Sequence, residues 1–539
     1  MKWLKVIVAI VGMGTLTAPL VSSAETGQCG QSSLLGAQTI TGELHSENAE
    51  LRVIPQAARV VLMNRLQAEG VETAPTISIE RSLYVRDRGL LEAFSFADLM
   101  EGLASGLGAN APSGLALFQD WWRTAAAPDP QYAADIGCTD TLINGFSYTC
   151  PTTRPRAEAS LSKIADLRTG RNGGPPFSII ALVNRGDLVY GKQNPDTCGE
   201  YRVIAAADTI SSDATDTVVQ LGAVGKFYMS FEAALPNQGN DMCLAVQRFW
   251  NSLADASDTK ARRMLRAFFL EEIGMNKDGT ISFPPEAGAD FKFGPVISAS
   301  NLGLLPDDAS SLRLPLAKAV GQIRTNTRDQ TSRWLLRQYS FRRTSLGLRI
   351  MPTSLSATPP AGIMVPESGC KEADEDCNTA LGRKILENAD GLKTVEFGKL
   401  AFELANICLE AGQMVAEDVF GDGYKVAIWK NETSDNHVFT ALQTISTQPG
   451  LPDKDSKIAF NLEMTSCAGC HRHSTPSHIG HLTDWRGQSL RSLSPSPNMF
   501  THSSIKCSDA ACSRYEISPL LEKVFLPWRA FLMDQTLRQ

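Results

Sequence analysis

The sequence predicts an α+β protein: a body of mixed strands and helices, followed by a small and mainly helical C-terminal domain. Three observations support this prediction. Apolar residues follow helical spacing in most segments up to about residue 130. Short apolar runs bounded by Gly, Asn, Pro or Asp then alternate irregularly with helical segments, which favours α+β over a regular βαβ succession. From about residue 456 onward, cysteine and histidine become dense.

Length and composition limit the possible classes of protein. With 539 residues the chain exceeds the usual size of one domain. Its 43% hydrophobic and 20% charged residues exclude wholesale disorder and a coiled-coil rod. A formal net charge of −7 gives no support to a nucleic-acid partner. We divide the chain into a signal peptide at 1–24, a mainly helical N-terminal region at 25–130, an α+β body at 131–350, a linker and helical region at 351–455, and the C-terminal domain at 456–539.

The first 24 residues have the pattern of a Sec-type signal peptide. Lys2 and Lys5 precede an apolar stretch, and Ser22-Ser23-Ala24 places small residues before a cleavage point. A retained membrane anchor is the alternative, but the apolar stretch is short for a bilayer span. No later segment approaches about 20 consecutive apolar residues, so we expect no integral membrane segment after signal removal. These features predict a periplasmic or secreted bacterial protein.

The helices and strands of the first 350 residues follow from local patterns. A hairpin is expected around Asn144-Gly145, since Asn-Gly favours a type I′ turn. The predicted helices are 51–68, 90–107, 115–126, 242–253 and 259–273. The predicted strands are 177–183, 201–207 and 226–234. Farther along the chain, composition indicates helix over 380–416 with a break near Asp390-Gly391, and the final helix is expected at 520–537.

The chain has twelve cysteines, an even number that in an exported protein suggests disulfide bonds. The predicted hairpin would bring Cys138 and Cys150 together. Cys370 with Cys377, and Cys507 with Cys512, could each close a small loop. The pairing of the other cysteines stays open.

The sharpest signal is Cys467-Ala-Gly-Cys470-His471, a C-x-x-C-H sequence. Two thiols at this spacing can add to the two vinyl groups of one porphyrin, and the adjacent imidazole can bind the iron. At this content of Cys and His, roughly 0.003 such matches are expected by chance. The motif resembles the covalent haem site of c-type cytochromes. The resemblance implies one haem c, with Cys467 and Cys470 as tethers and His471 as the proximal ligand.

The surroundings of the motif supply candidate distal ligands. Five of the seven histidines fall between His471 and His502. In cytochromes c the distal ligand is commonly a methionine on a Pro-containing loop, and Met499 resembles that residue. His481 is the competing distal ligand. Methionine ligation would raise the reduction potential, and bis-histidine ligation would lower it.

Three other interpretations of the motif remain. Cys467 and Cys470 could form a disulfide or redox pair. Together with Cys507 and Cys512, and with or without His471, they could bind zinc. The motif could also carry no cofactor. The haem interpretation predicts a monohaem c-type cytochrome-like protein, active in electron transfer with a periplasmic or extracellular redox partner or in a haem-dependent reaction. The alternative is a non-enzymatic, disulfide-stapled envelope binding protein, with zinc as an optional metal.

Seven arginines without a single lysine occupy the stretch from 324 to 349: Arg324, Arg328, Arg333, Arg337, Arg342, Arg343 and Arg349. They predict either a solvated helix and strand or an anion site, for example for haem propionates. Four further segments resemble those of large exported bacterial proteins of uncharacterised activity: 182–185, 198–202, 231–236 and 321–326. With the C-terminal motif, this resemblance spans about residues 182 to 539 and implies a shared architecture.

Overall fold

The computed structural model describes the following residues: 77–108, 111–123, 142–143, 146–147, 161, 164–169, 175–189, 196–207, 227–239, 241–304, 321–328, 334–344, 347–353, 364, 366, 371–372, 375–387, 389, 414–416, 428, 433–445, 503–518, 521–522 and 526–538. The signal peptide predicted at 1–24 and the helix predicted at 51–68 lie outside them. None of the helices among these residues is both long enough and apolar enough to cross a bilayer.

The described residues contain helices and strands in the order expected for a mixed protein. The helices are α1 Arg88–Leu91, α2 Phe96–Ser105, α3 Gly114–Arg123, α4 Met242–Ser252, α5 Asp258–Leu270, α6 Cys377–Glu387, α7 His437–Ile445 and α8 Leu526–Leu537. The strands are β1 Tyr84–Val85, β2 Leu142–Ile143, β3 Phe146–Ser147, β4 Ser178–Arg185, β5 Thr197–Ala207, β6 Phe227–Pro236, β7 Ile273–Met275, β8 Ile281–Ser282, β9 Phe291–Phe293, β10 Gln322–Arg328, β11 Trp334–Thr344, β12 Gly347–Thr353, β13 Lys371–Glu372, β14 Glu375–Asp376, β15 Met414–Ala416, β16 Ser503–Cys507 and β17 Tyr515–Ile517.

A large antiparallel sheet forms the centre of the fold. Its eight strands run in the order β1-β4-β5-β6-β10-β11-β12, and β15 also pairs with β11. Every pairing in this sheet is antiparallel. Antiparallel strands combined with separate helices confirm the predicted α+β class.

Helices cover one face of this sheet. Phe231 of β6 lies with its ring centroid 6.2 Å from that of Phe96 of α2. Tyr339 of β11 lies 5.2 Å from Trp121 of α3, and Tyr201 of β5 lies 5.1 Å from Phe268 of α5. These side chains are fully or almost fully buried in one hydrophobic cluster. Because side chains alternate across a strand, the residues between them face the opposite side of the sheet.

Several local predictions are confirmed and one helix is corrected. Strands β2 and β3 pair with Ile143 opposite Phe146, which confirms the predicted hairpin. The helix predicted over 90–107 is instead two helices, α1 and α2. Helix α1 ends at Leu91, and α2 begins after Ser95. The Ser95 side chain accepts a hydrogen bond from the backbone N–H of Asp98. As the N-cap of α2, Ser95 supplies a hydrogen-bond acceptor for a backbone N–H of the first turn, which stabilises the start of a second, separate helix.

The helical prediction over 380–416 holds only in part. Helix α6 ends at Glu387, whereas Met414–Ala416 forms β15 and pairs with Trp334–Leu336 of β11. The hydrogen bonds offered by β11 outweigh a weak local preference for helix. Helices α6 and α7 pack on each other, and the buried Asn378 side chain donates to Asn436 Oδ1 at 3.1 Å between them.

The described C-terminal residues join the same core as the sheet. The backbone N–H of Tyr515 donates to Arg86 O at 3.1 Å, and that of Arg88 donates to Ser513 O at 2.9 Å. Leu526, Ala530 and Met533 are all buried in the main hydrophobic cluster. The final helix is confirmed as α8, but residues 503–518 form the β16–β17 hairpin, and the described residues show no distinct helical haem domain. The boundary at residue 456 stays a prediction.

Candidate functional site

The residues predicted to hold haem lie outside the described part of the chain. They are Cys467, Cys470, His471, His481 and Met499. Among the residues that are described, no three His, Cys, Asp or Glu side chains form a group that could hold a metal ion. The haem ligands and the distal alternatives therefore stay predictions.

The cysteines that are described are disulfide-bonded. Cys507 pairs with Cys512 as predicted. Because these two sulfurs are bonded to each other, they are not free to bind zinc together with Cys467 and Cys470. Cys198 of β5 pairs with Cys243 of α4 across 45 residues, a pairing that the sequence left open. Cys377 is also disulfide-bonded. Cys138, Cys150 and Cys370 lie outside the described residues. Disulfides are typical of an oxidising compartment such as the periplasm or the extracellular space.

The face of the sheet opposite helices α2, α3 and α5 carries a row of charged side chains. Register places Arg202 of β5 opposite Glu232 of β6 and Glu232 opposite Gln322 of β10. Residues directly opposite each other in an antiparallel pair share a face and bring their side chains together. Arg324 of β10, two residues farther along, lies on this face as well.

Glu232 is the centre of this row. It accepts a hydrogen bond from Gln322 Nε2 at 2.7 Å, and it lies 3.3 Å from Arg202 Nη1 and 3.7 Å from Arg324 Nη1. Its side chain is only 4% exposed. Burial alone would raise its pKa, but the charges of Arg202 and Arg324 outweigh burial and lower the pKa of Glu232 to about 2. Glu232 is therefore ionised at neutral pH.

A second carboxylate lies where β4 ends. The 3₁₀ turn Gly186–Val189 places Asp187 so that Arg185 binds it through two parallel hydrogen bonds, from Nε at 2.9 Å and from Nη2 at 3.0 Å. Arg529 of α8 approaches the same carboxylate, with Nε 3.8 Å from Oδ2. Although burial opposes ionisation, the positive charges of Arg185 and Arg529 keep the pKa of Asp187 below its usual value.

We call these residues the arginine cluster: Arg185, Arg202, Arg324 and Arg529, with Asp187, Glu200 and Glu232. Glu200 binds Arg202 Nη2 at 2.6 Å, and the strand register places Glu200 opposite Arg185. Tyr84 of β1 borders the cluster, and its hydroxyl is hydrogen-bonded to that of Ser503. Burial raises the pKa of Tyr84 to about 12, so its phenol stays neutral.

The chemistry of the arginine cluster suits binding better than proton transfer. The shifts described for Glu232, Asp187 and Tyr84 all move the pKa away from neutrality, whereas a general acid or base works best with a pKa near the operating pH. Among the described residues, the cluster has four guanidinium groups and three carboxylates, an excess of one positive charge. Such an excess favours an anionic ligand.

Sequence patterns found part of this site. The predicted arginine-only stretch contributes Arg324, whereas Arg349 of the same stretch binds Asp120 at 2.6 Å. Nothing in the sequence singled out Arg529, which reaches the cluster from the final helix. The four segments noted for their resemblance, 182–185, 198–202, 231–236 and 321–326, lie on neighbouring strands β4, β5, β6 and β10. Together they supply every member of the cluster except Asp187 and Arg529.

Searches for relatives give this chain no family to which it can be assigned. It matches no protein-family profile, no curated protein and no solved structure.

Proposed function

We propose that this chain is an exported c-type haem protein that carries one covalent haem and passes electrons to a periplasmic or extracellular partner. The observation that carries the proposal is the sequence Cys467-Ala-Gly-Cys470-His471. Its donor set of two thiols and one imidazole suits covalent haem attachment. The disulfides Cys198–Cys243 and Cys507–Cys512 support the proposal, because haem of this type is attached outside the bacterial cytoplasm.

Each residue has a defined part in this proposal. The thiols of Cys467 and Cys470 each add S–H across one vinyl group, which forms two thioether bonds and fixes the cofactor to the chain. His471 would be one ligand of the iron, and Met499 or His481 would be the second. When bound, the haem would supply reversible one-electron chemistry. A second protein ligand would favour electron relay, and its absence would favour a reaction with a small substrate.

The test is to produce the mature chain together with the c-type haem maturation machinery. We expect a pyridine haemochrome spectrum of a c-type haem and a mass increase of one haem that survives denaturation. The double variant Cys467→Ala/Cys470→Ala should lose both signals. The matched control Cys507→Ala/Cys512→Ala removes a different cysteine pair, the described hairpin disulfide, and should retain the haem. A wild-type product without haem, whose Cys467 and Cys470 are joined to each other or bound to zinc, would contradict the proposal.

A disulfide-stapled envelope binding protein without redox activity is the second candidate function. The specific observation in its favour is the excess positive charge of the arginine cluster, which suits ligand binding with no need for a haem. The same spectrum separates the two functions, since a binding protein of this kind would be colourless.

A further inference from the structure

Arg529 is a nearly buried cation whose ion pair with Asp187, at 3.8 Å, is a long one. We propose that Arg529, together with Arg185 and Arg202, binds an oxyanion, namely a carboxylate or phosphate group of a small ligand, beside the ends of strands β4 and β5. The proposal rests on the arginine cluster and does not require that the chain carry haem.

Among the described residues, the ion pairs of the cluster show which cation is paired most weakly. Asp187 is bound closely and through two hydrogen bonds by Arg185. Glu200 is bound by Arg202, and Glu232 is shared between Arg202 and Arg324. Arg529 has only its 3.8 Å approach to the occupied Asp187. Within the described residues it makes no hydrogen bond, so its five N–H donors are all available.

Burial makes this arrangement costly unless an anion completes it. The Arg529 side chain is 12% exposed. A charge taken out of water loses several kcal/mol of hydration, and a close partner must restore that loss. Burial, followed by the neighbouring charge of Arg185, lowers the pKa of Arg529 to about 9. Its guanidinium is still protonated at neutral pH, and a bound anion would relieve both effects.

The donors point to an oxyanion in particular. The planar guanidinium group presents N–H donors in a fork that matches the oxygens of a carboxylate or phosphate. Arg202 adds a further donor, since its buried Nε has no hydrogen-bond partner among the described residues. A metal cation would be repelled by the excess positive charge, and a neutral ligand would leave that charge uncompensated.

Two sources could supply such a group. One is a propionate of the haem proposed above, and the other is a free small anion. The experiment therefore compares the chain with and without haem, using inorganic phosphate and acetate as probes in isothermal titration calorimetry. The haem-free sample is the Cys467→Ala/Cys470→Ala variant, or the wild type if that carries no haem.

We expect saturable phosphate binding by the haem-free chain and at least a tenfold weaker affinity after Arg529→Gln. The matched control is Arg538→Gln, just beyond the same helix, where an exposed arginine pairs with Asp534 at 2.8 Å. This control should bind phosphate as the unsubstituted chain does. If Arg529→Gln does not fold, Arg529→Lys replaces it. Its phosphate affinity should fall several-fold, because lysine lacks the forked donors.

The remaining outcomes distinguish the sources or overturn the site. Phosphate binding in both samples identifies a free anion as the ligand, and binding lost only in the haem-loaded chain identifies a propionate. No binding of either probe by the haem-free chain, or equal affinity with and without the Arg529 guanidinium, would refute the inference. If the double-cysteine variant does not fold, the loaded chain decides. There Arg529→Gln must change the phosphate affinity or the pH dependence of the haem midpoint potential, and no change in either would be decisive against the site.

Discussion

The two faces of the central sheet are built from the same strands but stabilised in different ways. On one face Phe231 and Tyr339 pack against helices α2 and α3 through aromatic contacts. On the other face Arg202, Glu232 and Gln322 form ion pairs and hydrogen bonds across three strands. The apolar face gains stability from the area it removes from water, which depends little on pH. The charged face depends on the ionisation of a few carboxylates.

The two faces also differ in how much they contribute to the stability of the fold. An apolar core is stable without a ligand, whereas a buried ion-pair network contributes little net stability compared with well-packed hydrophobic residues. Among the described residues, the arginine cluster has four cations and three anions. This composition fits the anion site proposed above better than a contribution to folding alone.

The largest effect should come from Phe231→Ala on the apolar face. The Phe231 side chain is fully buried between Phe96 and Trp121, and removing such a ring costs about 3–5 kcal/mol through lost transfer energy and the cavity left behind. Urea unfolding at pH 7 and at pH 3 measures this cost, which should be the same at both values. A cost that vanished at low pH would show that the two faces do not differ in the way described.

The next substitution, Glu232→Gln, changes the neighbour of Phe231 on β6. It should lower the free energy of unfolding by about 3 kcal/mol at pH 7, because it leaves Arg202 and Arg324 with less negative charge. The folded-state pKa of Glu232 lies near 2, below the usual value of 4.5. Its contribution is therefore present above about pH 4.5 and is lost as the pH falls toward 2. The cost of the substitution should shrink over that range in urea unfolding experiments.

The control for this prediction is Glu272→Gln, which changes an exposed carboxylate without altering the cluster. It should leave the free energy of unfolding nearly unchanged at every pH. A cost of Glu232→Gln that stayed constant from pH 7 to pH 2.5 would show that Glu232 is not held ionised by its arginine neighbours.

Tyr201→Phe should have the smallest effect and tests the two hydrogen bonds of a buried ring on the apolar face. The Tyr201 hydroxyl donates to Cys198 O at 2.9 Å and accepts from Gln247 Nε2 at 3.2 Å. Phenylalanine keeps the packing against Trp250 and Phe268 and removes only these hydrogen bonds. The free energy of unfolding should therefore fall by about 1–2 kcal/mol. A loss as large as that of Phe231→Ala, measured by the same unfolding assay, would mean that hydrogen bonding rather than packing dominates this face.

Local signals predicted what is local in the structure. The three strands expected between 177 and 234 are present because short apolar runs end at breakers of regular structure. The Asn144-Gly145 hairpin and the Cys507–Cys512 pair also connect residues that are close in sequence. Composition was a poorer guide over 380–416, where a distant strand recruited Met414–Ala416 into the sheet.

The sequence by itself determined the α+β class, three strands of the central sheet, one hairpin, one disulfide and the Cys467-Ala-Gly-Cys470-His471 motif, because each depends on residue type and short spacing. Only the tertiary structure decided which charges meet. Glu232 and Arg324 are 92 residues apart, and Asp187 and Arg529 are 342 residues apart, yet each pair lies within 4 Å. The register of a sheet and the docking of a final helix set such contacts, and both result from the packing of the whole chain.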